Sequence, residues 1–299
     1  MDMGQTADSE HTALGGIVMR QINVSEVTDL VFRLFIKANY FIGEDIMQAL
    51  RAARQSERSP LGQDVLSQIL ENNEIAAHEE QAVCQDTGLS VLFVEYGQDV
   101  HVVGGDFEEA INRGVRHAYV DGYLRKSAIS DPVFDRKNTQ DNTPAIVHTR
   151  IVPGDHIRVI AAAKGFGSEN MSVLKMLKPS DGIAGIRSLV LDAVREAGPN
   201  PCPPVILGVG IGGTVEKAAL LAKFASLREV GKRNPDPRYA ALEEEILGLV
   251  NRTGIGPAGL GGTTTALAVN IEWFPTHITA LPVAVNFVCH ASRHAEGVL

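Results

Sequence analysis

The 299-residue sequence is short of several things, and each shortage narrows its class. Lys and Arg number 27 against 36 Asp and Glu, a formal charge of −9, so there is no cationic surplus to hold a nucleic-acid backbone or an anionic membrane surface. No stretch approaches the roughly 18 apolar residues needed to span a bilayer. The opening residues, Met1 to Gly16, have neither the basic start nor the apolar core of a secretory leader. The expectations are no nucleic acid, no membrane and a cytoplasmic location. Only three cysteines are present, 118 and 87 residues apart, so a disulfide framework would leave one thiol over and no local zinc-ribbon spacing exists. Repeats, low-complexity segments and clear linkers are also missing, which favours one composite α/β unit over separate domains.

What is present is an ordinary folding composition, 44% hydrophobic and 21% charged. A polar tail is expected over residues 1–23 and the folded domain over 24–299. Val24, Val27, Leu30, Val31, Leu34 and Phe35 recur at helical spacing, and two shorter helices follow, the second opening at Ser59-Pro60. The apolar run Ser90 to Tyr96 reads as a strand, and Asp106 to Glu109 as the start of a helix over Ala110 to Val120. His156 to Ala163 and Val205 to Gly210 read as buried strands. Helices are expected over Ser172 to Leu177, over Asp181 to Ala197, from Thr214, and through Leu242, Ile246 and Val250. Ile278 to Val288 is apolar and β-branched. The fold class is therefore α/β: a helical N-terminal segment followed by a composite α/β domain.

Each cysteine lies beside turn-forming or polar residues: Cys84-Gln-Asp-Thr-Gly88, Pro201-Cys-Pro-Pro204 and Val288-Cys-His-Ala291. Thiols that only pack sit inside apolar periodic segments. Three presented thiolates instead suit a metal centre that keeps one position open, either zinc or an iron–sulfur cluster. Lys164-Gly-Phe-Gly-Ser-Glu-Asn170 joins a strand to a helical stretch, where backbone N–H groups can meet an anion, yet it matches neither nucleotide fingerprint. A second glycine-rich run, Gly254 to Gly262, signals a close backbone approach or a tight chain crossing. Arg125 can clamp a carboxylate.

Taken together, the Cys84 to Gly88, Lys164 to Asn170, Cys202-Pro-Pro204 and Thr276-His277 to Cys289 segments resemble, in order and spacing, the iron–sulfur-dependent class I fumarases and tartrate dehydratases. The resemblance implies a 4Fe–4S cluster on Cys84, Cys202 and Cys289, with Gln85, Asp86, Arg125 and Gly167 holding a small dicarboxylate. It implies Asp86 and His277 as the proton-handling pair. Relatives that are one chain continue into a second domain that completes the site, so the resemblance further implies an α subunit, a β subunit as partner, and an α2β2 oligomer. The Lys-Gly-Phe-Gly form favours fumarate and malate as substrates over tartrate, although Phe166 stands where many relatives have glycine. The competing reading is a cluster-binding module without catalysis, a redox sensor or scaffold. Only catalysis needs Asp86, Arg125 and His277 to meet at the open position.

Overall fold

The computed structural model of the chain describes residues 19–299. Most of the expected tail lies outside them, but its end is a strand, β1 (Arg20–Asn23), paired parallel with β3 (Val100–Val103). Asn23 then caps α1 (Val24–Tyr40) in a reciprocal box with Glu26, its side chain accepting from Ser25 N at 2.9 Å. Helices α2 (Glu44–Ser56) and α3 (Pro60–His78) follow, the latter opened by Ser59 and a first-turn proline as the sequence predicts.

Two four-stranded sheets carry the rest. In the first, β2 (Leu89–Gly97) is central, β4 (Ile146–Val152) pairs parallel on one side, and β5 (Ile157–Lys164) pairs antiparallel on the other. Helix α4 (Phe107–Asp121) links β3 to this sheet and is capped by Asp106, which accepts from Glu109 N at 2.7 Å. After β5 come the single turn α5 (Phe166–Glu169), strand β6 (Val173–Leu177) and helix α6 (Gly182–Ala197). In the second sheet β7 (Val205–Gly212) is central, reached through helices α7 (Val215–Ala225) and α8 (Pro237–Asn251) by parallel β8 (Ala266–Phe274) and flanked by antiparallel β9 (Leu281–Val288). Strand β6 is its other edge, and the final β10 (His294–Val298) returns to become the edge of the first sheet beside β5.

The expected helix over Ser172 to Leu177 is thus a strand. Its short apolar run has no period that separates helix from strand, and the open edge of β9 captures it antiparallel, Val173 opposite Val285. Alternation along β7 explains the layering. Val205, Leu207, Val209 and Ile211 face α6 and α8, while Ile206 packs with α2 and α3 on the opposite face. On that same face Gly208 and Gly210 let α7 lie directly on the strand: an added Cβ would stand 2.0 Å from Ala222 O and 2.0 Å from Ala218 O. Leu220 and Leu227 meet Val91, Phe93, Ile160 and Ala162 of the first sheet, so α7 and the turn after it fill the space between the sheets. The other face of the first sheet packs on α1 and α4 around Phe35 and Tyr119.

Candidate functional site

The register brings four strand ends together in two pairs, one in each sheet. Leu89 at the start of β2 pairs with Lys164 at the end of β5, and Ile206 near the start of β7 pairs with Val288 at the end of β9. Cys84 precedes β2, the glycine turn follows β5, Cys202 precedes β7 and Cys289 follows β9. The structure brings the three thiols into one neighbourhood. Cys84 and Cys289 pack on the same small cluster of Ala76, Val83 and Ala291, and the thiol of Cys202 is pushed up by burial and by the charges of Cys289 and Cys84. Burial also pushes Cys289 up, against the pull of Arg293 and Lys164. Among the described residues no three Cys, His, Asp or Glu side chains close around a single metal ion. The donor set of three soft thiols from three loops fits a polynuclear cluster, in which each thiolate takes its own iron.

Asp86 is fixed at this junction. Its Oδ1 accepts from Gly88 N at 2.9 Å, its Oδ2 accepts from Phe166 N at 2.8 Å, and its carbonyl accepts from the Arg293 guanidinium. The first sheet's loop is pinned from behind: Tyr119 Oη donates to Thr87 O at 2.7 Å and Asn142 Nδ2 donates to Gly88 O at 3.1 Å. Burial pushes the Tyr119 phenol up to about 12, so it stays a donor. The close approach in the glycine turn is at Gly165, where a Cβ would stand 2.7 Å from Arg293 Nη2 and 3.3 Å from Asp86 Oδ2. At Gly167, the residue expected to hold substrate, the nearest atom to such a Cβ is Asn200 O at 3.5 Å.

Beneath the turn lies a chain of charges. Lys164 Nζ donates to Ser168 Oγ at 3.0 Å and pairs with Glu169 Oε2 at 3.1 Å, while Lys223 holds Oε1 and Asn286 Nδ2 donates to Oε2 at 2.9 Å. Burial brings the Lys164 ammonium down to about 8, partly offset by Glu169. Burial works upward on Glu169, but Lys164 and Lys223 hold it at about 2. Cys84 donates to Gln85 Oε1 at 3.4 Å, and Gln85 lines a cavity of about 400 Å³ with Cys84, Thr87, Tyr40, Tyr123 and Arg125. The guanidinium of Arg125 is exposed and makes no ion pair among the described residues.

His277 is not brought there. It is exposed in the turn between β8 and β9, its Nδ1 2.8 Å from Thr279 Oγ1. The eight residues of β9 separate that turn from Cys289, and at about 3.3 Å per residue this is on the order of 25 Å. Twelve residues of sequence become this long a separation because the intervening segment is fully extended. Arg293, buried at 4% exposure, and His290 were not singled out in the sequence. Burial and Arg293 push His290 down to about 4. The available signal was charge among small buried residues, Ala291-Ser-Arg-His294, directly after a cysteine.

The site thus gathers three thiols, a fixed carboxylate and a buried Lys–Glu–Lys chain at the ends of the strands. The chain belongs to the fumarate hydratase (fumerase) family, whose model matches residues 28–298. A Methanocaldococcus jannaschii protein provisionally named L(+)-tartrate dehydratase subunit alpha is 40% identical over 274 residues, 90% of this chain and 96% of that one. The L(+)-tartrate dehydratase subunit alpha of Escherichia coli K12 is 31% identical over 278 residues, 92% of this chain and 91% of its own length, and that of Shigella sonnei matches equally. No described helix is long and apolar enough to cross a membrane.

Proposed function

We propose that this chain is the α subunit of a hydro-lyase that reversibly hydrates fumarate to (S)-malate, using a 4Fe–4S cluster held by Cys84, Cys202 and Cys289. The observation that carries the reading is the gathering of three thiols from three distant loops beside the Asp86 carboxylate. When bound, the cluster supplies a Lewis-acidic iron with one position open to the substrate hydroxyl. Asp86, oriented by two backbone N–H groups, holds and returns the proton exchanged at the substrate carbon. Arg125 clamps one substrate carboxylate from the rim beside Cys84 and Gln85. Arg293 keeps Asp86 and the glycine turn in place through the Asp86 carbonyl.

A dianionic substrate in a water-poor site needs more cation than Arg125 alone. We assign the remainder to a separate β subunit, in keeping with relatives that are named alpha subunits. In this reading His277 reaches a cluster site only from a second copy of the chain. Tartrate is the second substrate reading, favoured by the names of those relatives, while the glycine-turn sequence favours fumarate.

The test is anaerobic reconstitution of the purified chain with iron and sulfide, followed by titration with its β subunit and assay on fumarate, malate and L(+)-tartrate. Turnover of fumarate and malate only with both chains supports the proposal. Turnover confined to tartrate transfers it to the second reading. A loaded complex inert on all three acids leaves a cluster-binding module.

A further inference from the structure

The glycine-rich run that the proposed chemistry leaves unused is a strap, and its anchor lies more than two hundred residues earlier. Glu57, in the link between α2 and α3, is 2% exposed. Its Oε1 accepts from Arg58 N at 2.8 Å, Ser59 N at 2.9 Å, Thr263 N at 2.9 Å and Thr263 Oγ1 at 3.1 Å. Its Oε2 accepts from Thr263 N at 3.0 Å and Thr264 N at 2.8 Å. Such donors hold a carboxylate ionised in a buried place: burial works upward, yet these backbone and side-chain donors keep Glu57 at about 2. Gly262 makes room for it, since a Cβ there would stand 2.8 Å from Glu57 Oε1.

The strap in turn shapes the second cysteine loop. Thr265 O accepts from Val205 N at 2.9 Å, and Ala258 N donates to Pro203 O at 2.8 Å. Gly259 presses on Pro199, where a Cβ would stand 2.3 Å from the ring. Cys202 sits between these contacts with φ +55°, a left-handed conformation unfavourable for a side-chain-bearing residue. Something outside the loop must hold it there.

We infer that Glu57 is a positioning residue for Cys202: by binding Thr263 and Thr264 it tensions the Gly254–Thr265 strap against Pro199 and Pro203 and presents the Cys202 sulfur to the other two thiols. This rests on the reading of the three cysteines as one ligand set. It concerns only the chain's own residues, so the metal-free protein tests it.

The probe is dibromobimane, a short reagent that fluoresces on bridging two thiols, with bridged pairs mapped by mass spectrometry. Wild type should give Cys84–Cys202, Cys202–Cys289 and Cys84–Cys289 bridges. Glu57→Gln, which puts an amide N–H where Thr263 or Thr264 must donate, should lower both Cys202 bridges at least about fivefold and leave Cys84–Cys289 unchanged. Thr263→Val, losing only the hydroxyl contact, should fall in between and serves if the first variant does not fold. Leu50→Ala, a core truncation in α2, controls for stability alone and should leave all three bridges. Retained Cys202 bridges in both strap variants, or equal loss in Leu50→Ala, would overturn the inference while sparing the cluster reading. Absence of Cys202 bridges in wild type would sink both.

Discussion

In the first sheet the central strand β2 follows Cys84 and its antiparallel neighbour β5 runs into the glycine turn; in the second, β7 follows Cys202 and β9 runs into Cys289. Both sheets have one parallel and two antiparallel pairings in the same order. Each takes its remaining edge from the other half, because the chain after β5 crosses to become β6 and the chain after β9 crosses back to become β10. The crossings carry the glycine turn and Cys289. What differs is how the cysteine loops are held. Large side chains, Tyr119 and Asn142, grip the first from behind, whereas glycine backbone and a remote carboxylate shape the second. One architecture can thus deliver matched thiols by unlike means.

Replacing either loop's thiol is the hardest blow to this comparison. Cys84→Ser and Cys202→Ser should each cut iron bound after anaerobic reconstitution at least about tenfold and abolish turnover, since a cluster tolerates loss of neither ligand well. If only one variant lost iron, the two loops would not serve one centre. Next comes chemistry without ligation: Asp86→Asn should keep its iron and lower turnover by about a hundredfold or more, as expected for an acid–base group. His277→Gln, at the far end of β9, should load iron as wild type does.

Smaller effects separate the two modes of support. Gly210→Ala, driving a methyl into Ala218 O, should destabilise the second sheet by about 1–3 kcal/mol or more in urea unfolding, while Gly167→Ala should change stability little. Tyr119→Phe removes the phenol's bonds to Thr87 O and Gly88 O and should cost about 1–2 kcal/mol. Acid should act on both halves together. Glu57 and Glu169 have folded values near 2 against an ordinary 4.5. Their stabilisation is therefore complete above about pH 4.5 and lost as pH falls toward 2. Glu57→Gln should flatten that limb of the stability profile measured by denaturant midpoint.

The sequence reading succeeds where burial leaves a plain signature, a periodic apolar stripe on a helix or an unbroken apolar run in a strand covered on both faces. Helix α1 carries its period openly, β5 and β7 read as continuous apolar runs, the side chains of Ser59 and Asp106 cap real helix starts, and α7 opens after Thr214 as expected. It misses β4 because that edge strand is largely exposed and has no alternation to read, and it mistakes β6 because only the neighbouring β9 decides its state. The cysteine loops were legible as motifs. Their supports were not, since Glu57 and Thr263 become partners only through folding. His277 shows the converse: twelve residues from a candidate ligand in sequence is a long way when eight of them form a strand.

The crossing of β10 back to the first sheet has a consequence for biogenesis. Until residues 294–298 have been synthesised, β5 presents Arg158 to Ala162 as an open edge, a ready template for pairing with another nascent chain. The segment that closes this edge is separated from β5 in sequence by the whole second sheet, so the pairing is strongly non-local, and non-local pairings form slowly. In the proposed reading the third ligand arrives together with that edge, because Cys289 lies five residues before β10. Iron supplied earlier would meet Cys84 and Cys202 before Cys289 had been made.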